Sequence, residues 1–188
     1  MIVDRLALVG TGLIGGSFAL ALKQAGAVRE VLGVGRNPAR LTVARELGLI
    51  DRAADWAEAG QADCILLAMP VGETEAVLNK LAPHLKAGAI VTDAGSTKRT
   101  IVEAVEKSPR AAEMFVAAHP MAGSEKTGAA HARADLYQDR VCVLTPSPRT
   151  PRGLVGRARE FWSSLGCRTV EMGPAEHDEI VAFTSHLP

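Results

Sequence analysis

The chain has 188 residues, 47% of them hydrophobic and 22% charged, a composition that supports a full apolar core and excludes a disordered chain. Lys plus Arg and Asp plus Glu both total 21, so the formal charge is zero, which argues against nucleic acid or an anionic membrane as the main partner. The cysteines, Cys64, Cys142 and Cys167, are odd in number, far apart and without metal-ligand spacing, as suits a reducing compartment and no bound metal.

The first element carries the most information. An apolar strand over residues 5–9 runs into Gly10-Thr11-Gly12-Leu13-Ile14-Gly15, a G-x-G-x-x-G turn that opens a helix over residues 14–24. Gly10 permits the tight turn, Gly12 lets the backbone approach a pyrophosphate, and Gly15 lets helix and strand pack closely. Leu13 and Ile14 then belong to a helix N-terminus whose free N–H groups and positive dipole end favour an anion. The apolar stretch over residues 6–22 has the look of a signal-peptide core. However, Asp4 precedes it, glycines interrupt it, no clean cleavage site follows, and it is too short to span a membrane. A cytoplasmic location is therefore expected.

Further elements follow at regular spacing. Residues 30–35 read as a strand and residues 38–47 as a helix, with Asn37 as N-cap and Pro38 at its first position. A short strand is expected at 51–53. Residues 63–69 form a continuous apolar run that ends at Pro70, the pattern of a strand buried on both faces. A helix over 73–81, a strand over 89–92, a helix over 97–107 and a strand over 114–118 come next. Residues 119–134 read as a loop, then strands at 140–144 and 168–172 flank a helix over 151–165, and the chain turns helical from 176 onward. Strands alternating with helices predict an α/β fold of the Rossmann type, a doubly wound and mostly parallel sheet.

The end of the second strand bears on the cofactor. About 20 residues beyond the glycine turn, where an acidic residue would bond the ribose hydroxyls of NAD, the chain has Gly35, Arg36 and Asn37. Arg36 offers a guanidinium suited to the 2′-phosphate of NADP, so NADP is preferred and NAD stays possible. Met69 and Pro70 end a strand over the same crevice and offer it apolar surface. Asp93 and Ser96 lie where another strand ends and a helix begins. They read either as helix caps or as polar groups facing the nicotinamide. His119 follows the next strand and opens a polar, glycine-containing loop, a placement that suits a base taking a hydroxyl proton. His84, His131 and His177 read as solvated or capping groups, and Trp56 and Trp162 as packing residues.

Gly10 to Gly15, Thr92 to Lys98, His119 to Gly128 and the terminal Ser185-His186-Leu187-Pro188 together resemble the prephenate and arogenate dehydrogenase family of tyrosine biosynthesis. The resemblance spans essentially the whole chain. It implies an oxidative decarboxylation of prephenate or arogenate, with hydride passing from the hydroxyl-bearing ring carbon to NADP or NAD. By the same resemblance His119 draws off the hydroxyl proton, Ser96 holds the hydroxyl and the histidine in line, and Glu125 and His186 lie on the substrate side. Residues 1–174 correspond to the nucleotide-binding domain and 175–188 to the opening of a helix that links it to an all-helical domain, through which the longer protein forms a homodimer. The chain is thus expected to be a truncated form with little turnover of its own. Other enzymes of the same cofactor fold, such as a hydroxyacid dehydrogenase or an imine reductase, share only the glycine turn. A non-catalytic nucleotide sensor would have no use for the loop led by His119.

Overall fold

A computed structural model describes residues 3–186, with side chains through residue 183. Its centre is a six-stranded parallel sheet in the order β3-β2-β1-β4-β5-β6. The strands are β1 (Val3–Val9), β2 (Val28–Val34), β3 (Arg52–Ala53), β4 (Cys64–Leu67), β5 (Ile90–Asp93) and β6 (Phe115–Val116). This is the expected Rossmann-type α/β fold. The chain leaves β1 toward one edge through β2 and β3, then returns to build β4, β5 and β6 on the other side. The order therefore reverses between β1 and β4, and at such a reversal an open α/β sheet forms its ligand crevice.

Leu6 to Val9 of β1, Val31 to Val34 of β2 and all of β4 are apolar and buried because both faces of the sheet are covered there. Along β1, Leu6 and Leu8 point into one core while Ala7 and Val9 point into the other. Along β4 the same alternation divides Cys64 and Leu66 from Ile65 and Leu67. The first core lies under α1 (Leu13–Gln24) and α7 (Arg152–Ser164), and its centre is the aromatic group of Phe18, Tyr137, Phe161 and Trp162. Fully buried Trp162 is thus a packing residue, as expected. The second core lies under α3 (Trp56–Gly60), α4 (Thr74–Leu81), α5 (Arg99–Glu106) and α6 (Pro109–Ala112). Neither α3 nor α6 has a counterpart in the sequence pattern, because both are too short to show a periodic face.

The expected strand over 114–118 is two strands. Residues 115–116 belong to the main sheet, whereas β7 (Ala118–Pro120) joins β8 (Val141–Leu144) and β9 (Arg168–Glu171) in a separate three-stranded sheet. In that sheet β7 runs antiparallel to β8, and β8 runs parallel to β9. The changeover falls at Ala117, whose carbonyl accepts from Thr145 N–H at 2.8 Å rather than continuing the parallel ladder. His119, expected to open a loop, is consequently the middle residue of β7, opposite Val143. Residues 129–138, the first six of them within the expected loop, pack on α1: Ser17 Oγ accepts from Arg133 N–H at 2.9 Å, and the Tyr137 hydroxyl donates to Ile14 C=O at 2.6 Å. The remaining helices, α2 (Pro38–Glu46) and α8 (Pro174–His186), complete the chain.

Candidate active site

Strand register places the candidate residues along a single edge. Val34, Val9, Leu67 and Asp93 are consecutive partners across β2, β1, β4 and β5, so the segments that follow them leave the sheet side by side. Those segments carry Gly10 to Gly15, Arg36, Met69 and Ser96.

The glycine turn is shaped for close approach. Gly10 has φ +100°, and a Cβ there would stand 2.4 Å from Ala68 O; a Cβ on Gly15 would stand 2.2 Å from Gly10 O. Gly12 differs, since a Cβ on it would meet nothing within 4 Å. Its bareness serves space outside the protein. Gly12 is also the N-cap of α1, with no side-chain cap and no acidic residue in the first turn. The first helical bond runs from Gly16 N–H to Gly12 O at 2.8 Å, which leaves the N–H groups of Leu13, Ile14 and Gly15 without helical acceptors. An open patch beside three N–H donors that have no acceptor among the described residues, at a positive helix end, fits a pyrophosphate. Leu13 is itself buried and Ile14 half-buried, so only their backbone can serve an anion.

Farther along the edge, exposed Arg36 is held by Glu73, with Nη2 at 2.6 Å from Oε1. The guanidinium that a 2′-phosphate would engage therefore already has a carboxylate partner, one that the sequence reading missed. Asn37 caps α2, as expected, by accepting from Ala39 N–H at 3.0 Å. Met69 is half-buried against the second core, and Pro70 is exposed beside it.

At the other end of the edge lies a buried ion pair. Lys98 and Asp93 are 0% and 3% exposed at their side chains, and Lys98 Nζ donates to Asp93 Oδ2 and, at 2.7 Å, to Ala118 C=O. Asp93 Oδ1 accepts from Ala118 N–H at 3.0 Å, and Oδ2 accepts also from Gly95 N–H at 2.7 Å. Asp93 thus ties β7 to β5 instead of capping α5. That capping comes from the far end of the chain, where the Asp178 carboxylate of α8 accepts from Lys98 N–H at 2.7 Å and Arg99 N–H at 3.0 Å.

His119 stands beside this anchor, with Nδ1 at 2.9 Å from Nε2 of His177. His177 Nδ1 lies 2.7 Å from Asp178 Oδ1. His177 is fully buried, so its reading as a solvated or capping residue is overturned. Burial pushes the His119 imidazole down to about 4, helped by the charge of Lys98 and by His177 and opposed by Asp178. His119 is therefore neutral at physiological pH and able to take a proton. Burial works to push the Asp178 carboxyl up, but the amide donors of Arg99 and Lys98, together with His177, outweigh it and hold the group below the usual carboxylate value, as a carboxylate.

The other candidates are less closely drawn in. Ser96 is exposed in the turn after β5 and makes no bond to His119 among the described residues; the partner at Nδ1 is His177. Glu125 is exposed in the loop after β7. The His186 side chain lies outside the described residues. Lys98, His177 and Asp178 are the site residues that sequence reasoning missed. The adjacent His177-Asp178 pair at a helix start was a visible signal, but its partner lies 58 residues earlier.

Residues 18–171 match the family model of the prephenate dehydrogenase nucleotide-binding domain. The chain belongs to the prephenate dehydrogenase family. The match begins beyond the glycine turn, so the turn's geometry is separate support. The chain is 35% identical to the prephenate dehydrogenase of Bacillus subtilis, over 98% of its own length and 51% of that protein's. It is 33% identical to the cyclohexadienyl dehydrogenase of Zymomonas mobilis, with 100% and 64% covered. Among solved structures it is similar to the Aquifex aeolicus prephenate dehydrogenase in complex with hydroxyphenyl propionate and NAD+. There the TM-score is 0.92 at 31% identity, with 99% of this chain and 65% of that one covered. Synechocystis arogenate dehydrogenase follows at TM-score 0.87 and 34% identity, with 97% and 64% covered. The chain thus spans about half the length of the Bacillus relative and under two thirds of the others named.

Proposed function

We propose that this chain is the nucleotide-binding part of a dehydrogenase that oxidatively decarboxylates prephenate or arogenate, using NADP in preference to NAD. One observation carries the reading: a neutral, half-buried histidine on β7 is anchored, through Ala118, to Asp93 at the end of β5, on the sheet edge that also carries an open glycine turn fit for a pyrophosphate. The kinship with prephenate, cyclohexadienyl and arogenate dehydrogenases supports the substrate class, and the NAD+ complex of the Aquifex relative supports a nicotinamide cofactor.

When bound, the nicotinamide supplies the acceptor for a hydride. The backbone of Gly12, Leu13, Ile14 and Gly15 would hold its pyrophosphate, Arg36 and Asn37 would face the adenine ribose, and Met69 and Pro70 would lend apolar surface. His119 takes the hydroxyl proton as the ring carbon loses its hydride, Ser96 orients that hydroxyl, and Glu125 and His186 complete the substrate side. Loss of carbon dioxide aromatises the ring, so the protein has mainly to position and polarise. Residues 1–174 form the nucleotide-binding domain, 175–188 begin the link to a helical domain, and that domain pairs two copies and completes the substrate pocket.

The first test is titration with NADPH and NADH, for the parent and for Arg36→Ala. Tighter NADPH binding that the substitution abolishes supports the assignment; equal affinity for both nucleotides removes the NADP preference. The second is turnover of prephenate and arogenate by the full-length protein and its His119→Asn variant. Unchanged turnover in that variant would reject His119 as the base, and no turnover of either substrate by the parent would leave a nucleotide-binding role alone.

A further inference from the structure

A base needs a bare nitrogen, and a neutral imidazole has only one. Which of the two His119 nitrogens is bare is decided by its partner, because no other described residue bonds the ring. From that geometry we infer that His177, oriented by Asp178, is a positioning residue that holds His119 in the tautomer with Nδ1 protonated and Nε2 free.

The polarity follows from the carboxylate outward. Asp178 is an acceptor only, already receiving Lys98 N–H and Arg99 N–H, so at 2.7 Å it draws the proton of His177 onto Nδ1. A neutral His177 with Nδ1–H has a bare Nε2. That atom, 2.9 Å from His119 Nδ1, can only accept, so His119 must donate from Nδ1 and keep Nε2 bare. With a protonated His177 the direction reverses: Nδ1 of His119 would accept, Nε2 would carry the hydrogen, and the ring could not take a proton there. Among the described residues, the charged groups around the pair are Lys98 just before α5, Asp93 at the end of β5 and Asp178 on α8. Lys98 disfavours a second positive charge on His119, while Asp178 tempers one formed in the reaction. The logic is that of a carboxylate–imidazole pair in a hydrolase triad, extended by one ring. It also sets the opening turn of α8 directly behind the reacting histidine, so displacement of that helix would release the tautomer.

The inference rests on His119 being the base, and its tests separate the two. In the full-length protein labelled with ¹⁵N-histidine, long-range ¹H–¹⁵N spectra at neutral pH should show His119 protonated on Nδ1 and bare on Nε2. In His177→Met, which keeps an apolar volume of similar size, both tautomers should be populated. Its kcat should fall about a hundredfold, within the usual range for a misplaced acid–base group, while KM and the cofactor Kd change less than about threefold. His177→Gln, whose amide oxygen can accept in place of Nε2, should recover at least about tenfold of that loss. A proton on Nε2 in the parent protein overturns the inference. So does a His177→Met enzyme at parental kcat, or one that His177→Gln does not rescue. Full turnover by His119→Gln would remove the base itself and with it any catalytic meaning of the relay, whatever tautomer the spectra report.

Discussion

Two ion pairs sit at opposite ends of one sheet edge, and they are built on opposite principles. Arg36–Glu73 lies in the open, with side chains 74% and 35% exposed, and joins two loops by a single contact. Lys98–Asp93 is sealed, and every hydrogen bond around it also fixes a backbone segment: β7 through Ala118, and the turn after β5 through Gly95. An exposed pair contributes about 0–1 kcal/mol and exchanges partners readily, which suits a place where a ligand phosphate competes for the guanidinium. A buried pair does not exchange, because either charge left alone is strongly destabilising. The nucleotide end is therefore adjustable and the histidine end is committed.

The sharpest way to break the committed end is Lys98→Met, which strands the Asp93 charge. It should cost about 3–5 kcal/mol, read as a lower denaturation midpoint. A loss under about 1 kcal/mol would mean that water reaches the pair. The pH profile probes the same end without a mutation. Because His119 is pushed down to about 4, its neutral form persists well below the usual histidine value, and kcat/KM of the full-length enzyme should fall only as pH drops toward about 4. A limb near about 6.5 would show an exposed, ordinary imidazole.

At the adjustable end, Gly12→Ala should leave stability within about 1 kcal/mol, since its Cβ meets no protein atom within 4 Å. It should still weaken nucleotide binding by about tenfold or more, equivalent to about 1.4 kcal/mol, measured by calorimetric titration. Unchanged affinity would place the pyrophosphate elsewhere. The smallest effect is expected for Glu73→Gln: stability unchanged within about 1 kcal/mol, and NADPH bound a few-fold more tightly as Arg36 is released. Weaker NADPH binding would show that Glu73 orients Arg36 for the phosphate instead of occupying it.

The same division runs through what was legible beforehand. The backbone of the glycine-turn end was legible, because its parts are neighbours in the chain: a strand end, three glycines and a helix start within Val9 to Gly15, and a helix capped by Asn37. The strand pattern was read for the same reason, since burial on both faces leaves an unbroken apolar run in β1 and β4. At the histidine end, the sequence singles out His119 but says nothing of its setting. Nothing in residues 114–118 announces that the strand leaves one sheet for another at Ala117. Nothing near His177 announces a partner in β7.

Local chemistry along the chain was thus enough for the fold class, the glycine cradle, the candidate base and the family. Folding alone determined which charges face each other: Glu73 against Arg36, Asp178 against the start of α5, His177 against His119. Backbone turns and strand burial depend on residues a few positions apart, and so leave a pattern in the sequence. The protonation and orientation of the His119 imidazole depend on groups that meet only when distant segments pack, and here those segments are 58 residues or more apart.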